Sequence, residues 1–153
     1  MKDIVFTKID NNKEQYMDLL LEADPSKVLV NKYLEYGDLY ILENNGEVVC
    51  VAVVTKVDDF VCELKNIATV EKFRGQGFGK KMIQYLFKIY KLQFKKMIVG
   101  TTENNIPFYV KQGFDNYYKT VKNFFVDNYS EEIWDGDLHC IDMYYYSKDL
   151  RKE

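Results

Sequence analysis

Between an apolar segment ending Ile67-Ala68-Thr69-Val70 and an amphipathic segment that begins Lys80-Lys81-Met82-Ile83, the chain carries glycine at positions 75, 77 and 79. A strand that runs through alternating glycines into a helix leaves few architectures open. With no side chains at these positions, successive backbone N–H groups can turn inward at the start of the helix, where the aligned peptide dipoles favour negative charge. The loop is therefore a candidate cradle for a pyrophosphate. Two nucleotide loops are excluded by spacing. A Walker A loop needs Gly-x-x-x-x-Gly-Lys-Ser/Thr, but Arg74 stands five before Gly79 and Lys81 follows Lys80. A dinucleotide loop needs Gly-x-Gly-x-x-Gly and an acidic residue about 20 further on, where this chain has Lys95.

The remaining elements read as follows. Ile4 to Ile9 alternates as an opening strand, and Asn11 or Asn12 can cap a helix carrying Tyr16, Leu19 and Leu20. A second short helix with Val28, Val30, Tyr33 and Leu34 ends at Gly37. Asn45-Gly46 between Leu39–Leu42 and Val48–Val57 predicts a hairpin with a type I′ turn. Phe60 to Val70 is the strand that delivers the glycine loop. The helix beyond Gly79 turns Met82, Ile83, Leu86, Phe87 and Tyr90 to a sheet. Met97-Ile98-Val99 is a short buried strand, and the next helix has Pro107 in its first turn and Gly113 past its end. Tyr117 to Val126 and Leu138 to Ser147 are expected to close the sheet around an acidic loop. Order and type of elements give a mixed sheet with helices on both faces. The 153 residues suffice for one domain, 1–153.

Two segments fit one family pattern. Arg74-Gly75-Gln76-Gly77-Phe78-Gly79 matches Arg/Gln-x-x-Gly-x-Gly/Ala, and Asn104-Asn105-Ile106-Pro107-Phe108-Tyr109-Val110-Lys111-Gln112-Gly113-Phe114 matches Asn…Phe-Tyr-x-Lys-x-Gly-Phe at the expected distance downstream. Together they resemble the acetyl-CoA signature of the GCN5-related N-acetyltransferases (GNAT). The resemblance implies an α/β (α+β) fold with a mixed, mostly antiparallel sheet of six to seven strands, helices on both faces and splayed central strands. It also implies acetyl-CoA, bound non-covalently, as acyl donor.

In such a family the pantetheine arm pairs with the freed strand edge, which maps onto Ile67, Ala68 and Thr69, with a backbone N–H near Thr69 as oxyanion donor. Arg74, Gly75, Gln76, Gly77, Phe78, Gly79 and Lys80 would hold the pyrophosphate. Asn104 and Asn105 would cap the helix or bond the pantetheine amides, and Phe108 would pack on the cofactor or the core. Tyr109 occupies the position that protonates the departing thiolate in many members. Glu63, five residues before Ala68, stands where some members keep a general base; Glu63, Lys65, Ile67 and Thr69 share one strand face until any bulge. The same residues also suit plain structural roles, Tyr109 as a buried aromatic and Glu63 as a partner of Lys65.

Charge narrows the partners. The net charge of −3 argues against nucleic acid. Lys72, Arg74, Lys80, Lys81, Lys88, Lys91, Lys95 and Lys96 cluster in and after the loop, while Asp127, Glu131, Glu132, Asp135, Asp137 and Asp142 cluster near the end. That segregation suits a polyanionic cofactor at one region and a small cationic amine at the other. No signal-like or membrane-spanning run occurs, which predicts a cytoplasmic protein without membrane contact. Cys50, Cys62 and Cys140 give neither a disulfide framework nor a metal site, and His139 is read as structural. The expected reaction is acetyl transfer to a primary amine by direct attack in a ternary complex. A catalytically weak acyl-CoA sensor and transfer of a longer acyl group remain open, as does a homodimer joined through the aromatic closing strands.

Overall fold

The structure, a computed structural model, describes residues 3–152. Its frame is a seven-stranded sheet in the order β1-β2-β3-β4-β5-β9-β6, in which only β4 and β5 run parallel. The strands are β1 (Ile4–Ile9), β2 (Asp38–Asn44), β3 (Glu47–Lys56), β4 (Val61–Thr69), β5 (Lys96–Thr101), β6 (Asn116–Val121) and β9 (Met143–Asp149); β7 (Ile133–Asp135) and β8 (Leu138–Cys140) form a separate two-stranded sheet. The helices are α1 (Met17–Ala23), α2 (Lys27–Tyr36), α3 (Phe78–Tyr90), α4 (Ile106–Gln112) and α5 (Phe124–Asn128).

Strand β3 lies inside the sheet and is covered on both sides, so its sequence is a continuous apolar run. Cys50, Ala52 and Val54 pack beneath Met82, Ile83 and Leu86 of α3, while Val51 and Val53 pack beneath Leu20 of α1 and Val30 and Leu34 of α2. Each large side chain buried in this way contributes roughly 1.5–3 kcal/mol of transfer free energy. The β2–β3 hairpin turns at Asn45 and Gly46, with φ of 55° and 82°, the two positive values a type I′ turn requires. Ser26 caps α2, its hydroxyl accepting from the Leu29 N–H at 3.2 Å.

Three expectations change. Asn12 makes no side-chain cap; it sits at φ 56° and opens a 3₁₀ turn over Lys13–Tyr16 that leads into α1. The strand predicted through Val126 stops at Val121, because Asn123 takes φ 58°, donates its N–H to Asp142 Oδ1 at 2.8 Å and starts α5. The stretch Leu138 to Ser147 is two strands rather than one: β8 pairs only with β7, and β9 then inserts between β5 and β6. Their shared alternation conceals the break. No helix among the described residues is long and apolar enough to cross a membrane.

Candidate active site

One surplus residue opens the sheet. Val53 pairs with Asn66 and Val54 with Leu64, so Lys65 is an extra residue in β4, a β-bulge. The pairing of β4 with β5 ends at the same point, at Leu64 opposite Val99, and the two strands diverge beyond it. The Val70 N–H donates to Val49 O at 2.9 Å, toward β3. Since successive residues of a strand point their backbone groups to opposite sides, Ile67 and Thr69 aim theirs into the opening. Arg74 Nε donates to the Thr69 carbonyl at 3.1 Å, which leaves the Thr69 N–H and both backbone groups of Ile67 facing the gap.

A cavity of about 530 Å³ fills this divergence. Ile67, Asn105 and Tyr109 line it from the set read in the sequence, together with Lys65 and Asn66. Behind it, Gly79 lies next to Phe108 and Thr69: a Cβ on Gly79 would meet the Phe108 ring and Thr69 Oγ1 at 3.8 Å each. Phe108 itself is 42% exposed.

Gly75 and Gly77 hold φ of 79° and 85°, and a Cβ on either would meet nothing within 4 Å. Their requirement is conformational, with open space left above the loop. Gly77 is the N-cap of α3 and supplies no side chain, so the N–H groups of the first helical turn have no acceptor in the helix or its cap. Other members of the predicted set are committed elsewhere. Phe78 is 3% exposed and packs edge-on against Phe73, so its ring belongs to the core and only its N–H is available to a ligand. Arg74 reaches Glu22 of α1 at 2.7 Å. Gln76 Nε2 turns back to Lys72 O at 3.5 Å. Asn104 Nδ2 donates to Asp135 O at 3.1 Å, and Asn105 Nδ2 donates to Thr102 Oγ1 at 3.4 Å. Lys80 stands in the first turn of α3, and Ala68 is buried against the α1–α2 side.

Tyr109 is held by Phe108 and Phe114, with ring centroids 5.1 and 5.9 Å away. Burial, reinforced by the neighbouring Cys50, pushes its phenol up to about 12, so it stays protonated. Burial likewise pushes the Cys50 thiol up to about 11.

Glu63 is not part of the cavity wall. The bulge places it on the sheet face opposite Ile67 and Thr69: Glu63 pairs with Thr55, whereas Ile67 packs with the α3 core. Its carboxylate lies 3.5 Å from Lys65 Nζ, which also sits 5.4 Å from the Tyr33 ring centroid. Burial raises the Glu63 carboxyl above its usual range, opposed by Lys65.

The opposite wall comes from residues the sequence did not single out, apart from Asp135. Asp24 accepts from the Tyr33 hydroxyl at 3.0 Å, the Tyr129 hydroxyl at 2.8 Å and the Ser26 N–H at 3.2 Å, tying the α1–α2 turn to the segment after α5. Asn66 Nδ2 donates to Leu20 O and to the Tyr33 hydroxyl. Trp134 and Asp135 of β7 complete the rim. Of the acidic residues near the C-terminus, Asp142 is taken by Lys122 and the Asn123 N–H, and Glu132 lies 3.4 Å from His139. Among the described residues no group of three or more metal-binding side chains occurs.

A free strand edge, unclaimed N–H groups at a helix start and open space above positive-φ glycines suit an amide-bearing arm ending in a pyrophosphate, as in coenzyme A. Comparison with known proteins agrees. Residues 35–116 match the model of the acetyltransferase (GNAT) domain family. The chain is 36% identical over 138 residues to YvbK of Bacillus subtilis, named an uncharacterized N-acetyltransferase, covering 88% of each chain. Among solved structures it superposes on a GNAT family acetyltransferase from Elizabethkingia anophelis with acetyl-CoA bound (TM-score 0.90, 35% identity, 95% of this chain and 97% of that one). It also superposes on a Bacillus subtilis acetyltransferase in complex with CoA (TM-score 0.83, 29% identity, 96% and 99%). The chain belongs to the GNAT acetyltransferases, with acetyl-CoA as its acyl donor.

Proposed function

We propose that the protein is an N-acetyltransferase that moves the acetyl group to the primary amine of a small cationic acceptor, by direct attack with both substrates bound. The observation that carries this reading is the cavity at the bulge. It has backbone donors and Tyr109 on one side and carboxylates on the other.

Bound in the opening, acetyl-CoA supplies a thioester carbonyl for the amine lone pair: a C–N bond forms, the C–S bond breaks and the amine gives up a proton. Ile67 and Thr69 hold the arm by their backbone groups, and the Thr69 N–H stabilises the negative charge that develops on the carbonyl oxygen. Tyr109 Oη then delivers a proton to the departing sulfur and regains one, through water, from the proton that the amine gives up. An ordinary thiol near 8.5 would make that transfer uphill by more than three pK units, about 5 kcal/mol. The site reduces the gap. The burial that raises Tyr109 to about 12 also raises the Cys50 thiol beside it, and apolar surroundings likewise raise the proton affinity of a thiolate formed there. Glu63 can serve the amine only indirectly, through Lys65 or water. Its free, buried cysteines suit a reducing cytoplasm.

The test is free-thiol release from acetyl-CoA across amines, with CoA affinity followed by calorimetry. Amine-dependent release is expected; tight CoA binding without release on any amine would favour a sensor of acyl-CoA instead.

A further inference from the structure

We propose that the acceptor is an unbranched alkyl diamine without a carboxylate, bound with one nitrogen at Asp24 and the other at Asp135, an inference that rests on the N-acetyltransferase reading above.

The side chains that line the cavity away from Tyr109 spend their donors within the protein. Thr101 Oγ1 donates to Thr102 O at 3.4 Å and Thr102 Oγ1 to Asp135 Oδ2 at 3.1 Å. Tyr129 Oη donates to Asp24 Oδ1 at 2.8 Å, and Asn66 Nδ2 donates to Leu20 O and Tyr33 Oη. The cavity's own cation, Lys65, is drawn to Glu63 and the Tyr33 ring.

The acceptors are left over. Of the three carboxylates lining the cavity, Glu22 is paired with the Arg74 guanidinium at 2.7 Å. Asp24 is bonded only by the neutral Tyr33, Tyr129 and Ser26 groups, which leave its charge in place, and its Oδ2 accepts from Tyr33 alone. Asp135 accepts through Oδ2 from Thr102, and its Oδ1 takes no hydrogen bond among the described residues. No cation pairs with either among those residues. The β7–β8 register turns Asp135 inward: Ile133 and Asp135 share a face with Cys140, the cross-strand partner of Ile133, and all three line the cavity, while Trp134 stacks on His139 on the other face. Asn66 points to the same end as Asp24. It lines the cavity, is 5% exposed, and its Oδ1 has no partner, a buried acceptor to which the protein brings no donor.

A wall with two uncancelled carboxylates and an orphan acceptor suits a ligand that brings N–H donors at two places. The reaction sharpens the requirement, because the amine that attacks must be neutral. A monoamine would leave both carboxylates without a counter-cation at the moment of attack; a diamine keeps one ammonium in place while the other nitrogen reacts. A carboxylate on the substrate would meet two like charges and no uncommitted cation, which disfavours the parent amino acids. Both anchors are fastened to the half of the site that holds the donor: Asp24 through Tyr33 and Asn66 to β4 beside Ile67, and Asp135 through Thr102 and Asn104 to the segment leading into α4, the helix that carries Tyr109.

Calorimetry on the CoA-saturated protein compares putrescine and cadaverine with butylamine and pentylamine, which lack the second nitrogen, and with ornithine and lysine, which add a carboxylate. The better diamine is expected to bind at least about tenfold more tightly than its matched monoamine and its matched amino acid. Asp24→Asn and Asp135→Asn should each weaken that diamine about tenfold, hold its monoamine within about threefold and leave CoA affinity intact. The proposal is overturned if neither diamine binds, if the monoamine or the amino acid binds as well as the diamine, or if either variant leaves diamine affinity unchanged. Binding with the expected preferences but no thiol release on any amine would overturn the transferase reading alone.

Discussion

The β4–loop–α3 segment, which meets the cavity through residues 64–67, and the wall formed by residues 22–25 and 125–143 are built of different materials. The first offers main-chain groups: the open edge at Ile67 and Thr69, and the unclaimed N–H groups at the start of α3. The second offers side chains on short elements: Asp24 in a turn, Phe125 and Tyr129 in and after a five-residue helix, Trp134 and Asp135 on a three-residue strand. A ligand shared by a whole family can be held by the backbone, which substitution leaves in place. A ligand particular to one member has to be read by side chains, and those sit where the chain can change without disturbing the sheet.

Substitutions on the two sides should therefore fail differently. Gly77→Asp has the largest expected effect. It places a β-carbon at φ 85° and a carboxylate at the helix start, and should weaken CoA about 100-fold in calorimetry while a thermal melt still shows a cooperative fold. Near-normal CoA affinity would remove the backbone cradle from the comparison. Tyr109→Phe comes next, with kcat expected to fall about 100-fold and CoA affinity held within about twofold. Because burial holds the phenol up to about 12, the basic limb of the wild-type rate should not set in at pH 10, where an ordinary tyrosine would lose its proton. Tyr129→Phe, on the side-chain wall, should raise the KM of the amine about fivefold by releasing Asp24, with the KM of acetyl-CoA unmoved. Equal changes in both constants would erase the distinction between the two walls. Glu63→Gln should be smallest, within about threefold in kcat/KM; a loss of about 100-fold would restore it as a general base.

The sequence was most readable where structure is local and periodic. The glycine loop, the apolar face of α3 and the Asn45-Gly46 hairpin are set by neighbours a few residues apart, and each lies where its pattern places it. The face of Glu63 was lost because alternation fails at a bulge, and the extra residue at Lys65 carries no signature that a single chain can display. Phe78 fits a loop motif, yet its ring is drawn under Phe73 by the core. The hairpin β7–β8 was merged into a closing strand because Leu138 to Met143 keeps alternating across the break. Asp24 was missed because its partners, Tyr33 and Tyr129, lie 9 and 105 residues away. The lone tryptophan in an acidic segment was the available signal for the other wall.

The bulge at Lys65 makes the cavity depend on a count rather than on a residue type. Any side chain at that place keeps the extra backbone unit, and with it the opposed faces of Glu63 and Ile67 and the gap beside Val99. Removing the unit restores an unbroken ladder, so that either the start of β4 turns its core side chains outward or the open edge does. A one-residue deletion at 65 should therefore abolish CoA binding in calorimetry where Lys65→Ala retains it. The length of this strand thus carries what the letter at 65 does not: one extra residue opens the space between β4 and β5.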